Sequence, residues 1–274
     1  MKGKALDRFF LICLVGLLIL RFPVLILPRY GLLPIAKDAA TAVFQIGTYL
    51  LTAVMVVLKR DSLAEYHIDR LALSLLILAP IGCLVTQRLL WDWNAFPAST
   101  YVNAGLSVLF LIALLIWRPT MPHKGTGFAL KWVAAAIFVG ACLSFVVSYF
   151  IHFQIDVPPG ILMSARVPRA ILLIFTQLST AAALEEPLFR GFLWGILKAR
   201  GWKEIWIWLF QTLLFMLGHI YYLGSFNYSF FLVVPLCALV LGLAAWRSRS
   251  IGTSMIAHGI INSLGGNLFV FLWF

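Results

Sequence analysis

Apolar runs close to 20 residues long recur along this 274-residue chain, separated by short segments that hold most of its charge. Nothing constrains the fold more. A hydrocarbon core about 30 Å thick needs roughly 20 helical residues at about 1.5 Å each. In lipid only a helix or a closed barrel satisfies its own backbone hydrogen bonds. The runs show none of the two-residue alternation a barrel requires. The expected fold is all-α, a polytopic bundle of transmembrane helices. Hydrophobic residues make up 62% of the chain and charged residues 11%, against about 25% charged in an ordinary soluble domain. A soluble globule, a disordered chain and a disulfide scaffold are therefore excluded.

Nine spans are expected, near Phe9–Leu27, Ala39–Leu58, Leu71–Thr86, Tyr101–Trp117, Trp132–Ile151, Ala170–Leu197, Ile205–Tyr222, Tyr228–Trp246 and Ile251–Phe271. The third run is short, which leaves a count of eight open. With the N-terminus in the cytoplasm, the inside segments hold 14 basic residues: Lys2, Lys4, Arg8, Lys59, Arg60, Arg70, Arg118, Lys124, Lys131, Lys198, Arg200, Lys203, Arg247 and Arg249. The outside segments hold 5, namely Arg29, Lys37, Arg88, Arg166 and Arg169, and Arg21 and Arg190 fall within spans. This bias favours nine spans with the C-terminus outside; a bacterial-type cell membrane is the expected location. The net charge of +11 then reads as topology and headgroup contact, with no nucleic-acid partner. Lys2, Lys4 and Arg8 precede the first run as in a signal peptide, but the run is long and lacks a small-residue cleavage site, so an uncleaved span is expected. Cys13, Cys83, Cys142 and Cys237 lie inside apolar runs and read as small buried hydrophobes. There is no internal repeat.

Chemistry enters through the rare ionisable residues. Eight of the ten acids sit in loops or at span edges; the other two, Glu185 and Glu186, are adjacent within the sixth span, in the run A-L-E-E-P-L-F-R-G. An ionisable group at the bilayer centre costs roughly 3 kcal/mol or more, and Arg190 adds a third to the same span. Glu186 and Arg190 are four apart and can pair on one face; Glu185 is turned about 100° away and faces something else. Pro187 cannot donate a backbone hydrogen bond and should kink the helix. His219 lies in F-M-L-G-H, where Phe215 shares its face as packing. His258 and Asn262 share a face in H-G-I-I-N. His67, His123 and His152 lie in loops or at edges. At about 1.5 Å per residue, Glu185, His219, His258 and Asn262 all fall within the hydrocarbon thickness and can share a polar cavity.

A carboxylate with an imidazole can deprotonate water, and a second imidazole with an amide can donate to an oxyanion. That equipment suits hydrolysis of a peptide bond without a covalent intermediate. No serine elbow or intramembrane Asp pair is present. No cofactor is called for; zinc stays open, although H-E-x-x-H is absent and no acid lies one turn from either intramembrane histidine. Two other readings use the same residues: a proton-coupled transporter, weakened by the lack of an inverted repeat, and a non-catalytic immunity or scaffold protein in which they are interhelical glue.

At these residues the chain resembles a known family. E-E-P-L-F-R-G looks like the E-E-x-x-x-R motif of the CPBP family, also called the CAAX-protease or Abi family. F-M-L-G-H is similar to its F-x-x-x-H motif and H-G-I-I-N to its H-x-x-x-N motif, in the same order and on late spans. The resemblance covers about residues 170–271. It divides one continuous membrane domain into residues 170–274, a CPBP-like catalytic core, and residues 1–169, helices of unassigned role. It implies a glutamic-type intramembrane endopeptidase, often labelled a metalloprotease, with a cavity open toward membrane and cytosol. Under it, Glu185 would activate water, helped by His219. His258 and Asn262 would stabilise the oxyanion, and Glu186 and Arg190 would orient and charge-balance the site. The implied partner is a membrane-anchored or lipidated protein or peptide; prenylated, sorting-tagged and bacteriocin-like substrates, and the oligomeric state, stay open.

Overall fold

The computed structural model describes residues 2–90, 97–122, 124–152 and 173–265. Asp92, His123, Asp156, Arg166, Arg169, the start of the sixth run and the end of the ninth lie outside them. The described residues are helical with no strand. In chain order the helices are α1 (Lys2–Ile19), α2 (Lys37–Leu58), α3 (Arg70–Leu90), α4 (Ala98–Ile116) and α5 (Thr126–His152). There follow α6 (residues 173–199, in four helical segments from residue 178), α7 (Glu204–Leu217), α8 (Val234–Ser248) and α9 (Ile251–Gly265). The third apolar run is not short after all: α3 has 21 residues, with Pro80 inside it.

Among the described residues, six helical segments are long and apolar enough to cross a membrane: Ala5–Tyr30, Lys37–Leu58, Arg70–Leu89, Ala98–Ile116, Thr126–Phe150 and Ser229–Ser248. The protein is thus a polytopic helical bundle, an integral membrane protein. The other three helices, α6, α7 and α9, are broken or shorter, and they hold all three polar motifs. α6 is interrupted by wide π-helical turns at Leu178–Ala182 and Pro187–Phe192. Pro187 opens the second turn, where its missing N–H would otherwise leave a defect in the helical ladder.

Packing follows the same division. Large apolar side chains of the long helices point outward, among them Leu109, Leu115 and Phe138, as a lipid solvent permits. The middle of α6 and nearly all of α9 are buried. α9 lies tight against α5 at Gly140, where a Cβ would meet Ile260 Cβ at 3.0 Å and the Ala257 carbonyl oxygen at 3.1 Å. Close backbone approach through small residues is how helices associate in lipid. Ser144 Oγ adds a bond to the Ile260 carbonyl at 3.2 Å. Cys13, Cys83 and Cys237 are buried as expected, but Cys142 is exposed, on the outward face of α5, where lipid accepts a thiol as readily as a core does.

One end of the bundle is tied by an ionic network that joins the α2–α3 loop to the α8–α9 turn. Asp69 accepts from Lys124 at 2.7 Å and from Ser250 at 2.8 Å. Glu204 accepts from Arg249, Lys198 and Trp246, each at 2.6 Å. These bonds, the one from Arg249 foremost, hold the Glu204 carboxyl down at about 2. His67 sits in the left-handed region (φ 54), and its carbonyl accepts from the Ile251 N–H at 2.8 Å. Burial, then the Arg249 charge, push its imidazole down from 6.5 to about 3.

A base whose folded pKa is depressed stays neutral in the native state while the unfolded chain takes up a proton. Its stabilising effect is therefore complete above the unfolded value and is lost as pH falls from 6.5 toward 3. Glu204 contributes in the same direction, but only below 4.5. Thermal unfolding of the detergent-solubilised protein should fall between pH 7 and pH 5 through His67. His67→Asn, which tolerates the left-handed backbone, should flatten that slope; equal slopes would refute the assignment.

Candidate active site

The site is built where the breaks in α6 meet α7, α9 and the end of α1. Glu185 and Glu186 lie between the two π-helical turns, and Glu186 and Arg190 are fully buried. Although the second turn departs from α geometry, Arg190 Nη1 still reaches Glu186 Oε1 at 3.2 Å. The guanidinium also donates to the Ala238 carbonyl at 3.3 Å and lies 4.2 Å from the Phe215 ring centroid. Phe215 therefore does more than fill space. Its ring covers the Arg190 cation, and its carbonyl accepts from His219 Nδ1 at 2.8 Å. A carbonyl can only accept, so Nδ1 carries the hydrogen and Nε2 keeps its lone pair.

His258 is fixed by the other carboxylate. Its Nδ1 lies 2.8 Å from Glu186 Oε1, which makes Nδ1 the donor and turns Nε2 toward Glu185. Glu185 stands between the two imidazoles: His219 Nε2 is 3.9 Å from Oε1 and His258 Nε2 is 3.9 Å from Oε2. Oε2 has no hydrogen-bond partner among the described residues. Asn262 is less deeply placed. It lines the same cavity, but its amide donates to Gln177 Oε1 at 3.4 Å.

Arg21, from the first span, completes the cluster. It is 2% exposed, and its Nη1 meets Glu185 Oε1 at 2.8 Å. Nη2 is 3.3 Å from both ring nitrogens of His219, so the guanidinium lies against the imidazole. Sequence reasoning places Arg21 inside a span and gives it no partner. An isolated arginine at that depth is nonetheless a signal, since it needs a counter-charge. With Arg21 counted, two carboxylates face two guanidinium groups, and the cluster is neutral when both imidazoles are neutral.

These groups open into a cavity of about 470 Å³, lined also by Leu25, Arg29, Thr41, Gln45, Gln177 and Tyr221. Arg29 stacks on Tyr221 at 4.1 Å, and Tyr30 donates to the Ile220 carbonyl at 2.8 Å; these contacts join the end of the first span to the segment after His219. Among the described residues, no group of three His, Cys, Asp or Glu side chains is arranged to hold a metal ion.

Residues 167–264 match the family described as Type II CAAX prenyl endopeptidase Rce1-like. No curated protein and no solved structure matches the chain.

Proposed function

Since residues 167–264 form a CAAX-protease-family domain within a polytopic membrane protein, we propose that the chain hydrolyses a peptide bond of a membrane-anchored or lipidated protein or peptide. The observation that carries this reading is the placement of Glu185. Its buried carboxylate presents one unpartnered oxygen between two imidazoles, at the wall of a cavity large enough for a peptide segment.

In the reaction, Glu185, assisted by His219 Nε2, takes a proton from water as the water oxygen bonds to the scissile carbonyl carbon. The carbonyl oxygen gains negative charge and accepts hydrogen bonds from His258 and Asn262. Glu186, by accepting from His258 Nδ1, holds that ring in place, so that Nε2 donates to the oxyanion when the ring is an imidazolium. The C–N bond then breaks, and the proton taken from water passes to the leaving nitrogen. The scheme calls for no cofactor, and elemental analysis of the purified protein tests it: stoichiometric zinc would replace Glu185-driven water activation with a metal-assisted step. Terminal-peptide proteomics on membranes holding the wild-type or the Glu185→Gln protein tests the reading. A new protein terminus present only with the wild type is expected; identical termini would reject it.

The same reading extends to the compartment. Lys59, Lys124, Lys198 and Arg249 stand at one end of the bundle, and Arg29, Thr41 and Tyr221, which line the cavity, stand at the other. With the basic end cytoplasmic, the cavity faces the opposite side, the reverse of the cytosolic opening that the resemblance implies. In a Cys142→Ser background, a membrane-impermeant maleimide should label Ser225→Cys in intact cells and Asp61→Cys only after lysis. The converse pattern would put the reaction in the cytoplasm.

A further inference from the structure

Arg21 lies outside the residues that match the family, and no motif includes it. We propose that Arg21 is a positioning residue, the intramembrane counter-ion that keeps Glu185 ionised and leaves Oε2 as its proton-accepting oxygen. The activity consequence rests on the reading of Glu185 as the base; the charge assignment does not.

Local structure delivers the side chain. α1 runs into a π-helical turn at Leu20–Val24 that contains Pro23. A wide turn of this kind shifts the helix face by one residue and here carries Arg21 into the bundle. Opposite it stands Gly218, where a Cβ would lie 2.8 Å from Arg21 Nε and 3.2 Å from Nη2. A side chain at that position would push the guanidinium from its path past the end of α7 to Glu185.

The electrostatics are selective. Arg190 satisfies Glu186 and is too committed to serve Glu185: it holds Glu186, the Ala238 carbonyl and the Phe215 ring. Without Arg21, Glu185 would be a second carboxylate beside an already neutral pair. Such a group in a poorly hydrated site takes up a proton and loses its function as a base. With Arg21 bound to Oε1, the carboxylate keeps its charge and its rotamer, and only Oε2 is free to receive a proton from water. The first span is thereby part of the active site.

Dicyclohexylcarbodiimide, a membrane-soluble reagent, tests the assignment. It reacts with a carboxyl group only when that group is protonated; the acid O–H adds across the C=N bond to give an acylisourea. Purified full-length protein in detergent would be treated at neutral pH and digested, and the Glu185 and Glu186 adducts measured by mass spectrometry. Wild type and Arg21→Lys are expected to be unreactive at Glu185. Arg21→Met should react there roughly tenfold or more, with Glu186 unreactive in all three. A folded Arg21→Met protein whose Glu185 stays as unreactive as in wild type would overturn the proposal, as would a reactive wild type. Arg21→Gln, which keeps polarity without charge, provides the same comparison should Arg21→Met not fold. On the substrate found by proteomics, Arg21→Met should lose about 100-fold in kcat with little change in KM, and Arg21→Lys should recover part of it. Cleavage that persists in Glu185→Gln would reject the reading of Glu185 as the base while leaving the labelling contrast intact.

Discussion

Glu185→Gln should lower cleavage by about 100-fold or more in a protein that still inserts and folds. Glutamine keeps the shape of the side chain and can still accept from Arg21, but it cannot take a proton from water. The fold should survive because the amide oxygen still accepts from Arg21, whose guanidinium also lies against the His219 ring. Purified wild type and variant, compared for thermal unfolding and for cleavage of the same substrate, give the result. Full activity in a correctly folded Glu185→Gln protein would mean that another group activates the water, or that the chain is no hydrolase.

Arg190→Met should act on the fold instead. Arg190 and Glu186 are both fully buried, and neither lines the cavity. Removing one member of a buried pair while leaving the other charged costs roughly 3–5 kcal/mol. Glu186 would keep His258 but lose its guanidinium, the Ala238 carbonyl would lose a side-chain donor, and the Phe215 ring its cation. The expected result is a protein that unfolds at markedly lower temperature in detergent, in contrast to Glu185→Gln. An unchanged unfolding temperature would show that the pair is incidental to the bundle. Two adjacent glutamates would thus differ in kind, one spent on chemistry and the other on holding His258 and α6 in place.

Much of this was legible in the chain. The length of the apolar runs gives the helical bundle, because only helices of that length satisfy the backbone in lipid. The Glu186–Arg190 pair follows from a spacing of four, and it survives the π-helical turn because the two side chains are long enough to take up the altered pitch. The rotation of Glu185 away from that pair predicts a different partner without identifying it. The sequence places Phe215 only as packing, because its contact with His219 is made by a backbone carbonyl, which no side-chain pattern reports. The exposure of Cys142 is not legible in its apolar run, which does not reveal which of its faces meets lipid and which meets protein.

The sequence by itself determined that the chain is a bundle of apolar helices, which ionisable residues fall within the apolar runs, and the pair made within one helix turn, since these depend on neighbours along the chain. Tertiary structure alone decided that Arg21, 164 positions before Glu185 and at 2.8 Å from it, supplies the missing charge. The same holds for the two imidazoles that flank one carboxylate. Those contacts arise from how α1, α6, α7 and α9 pack, and packing between helices leaves no periodic trace in any one of them.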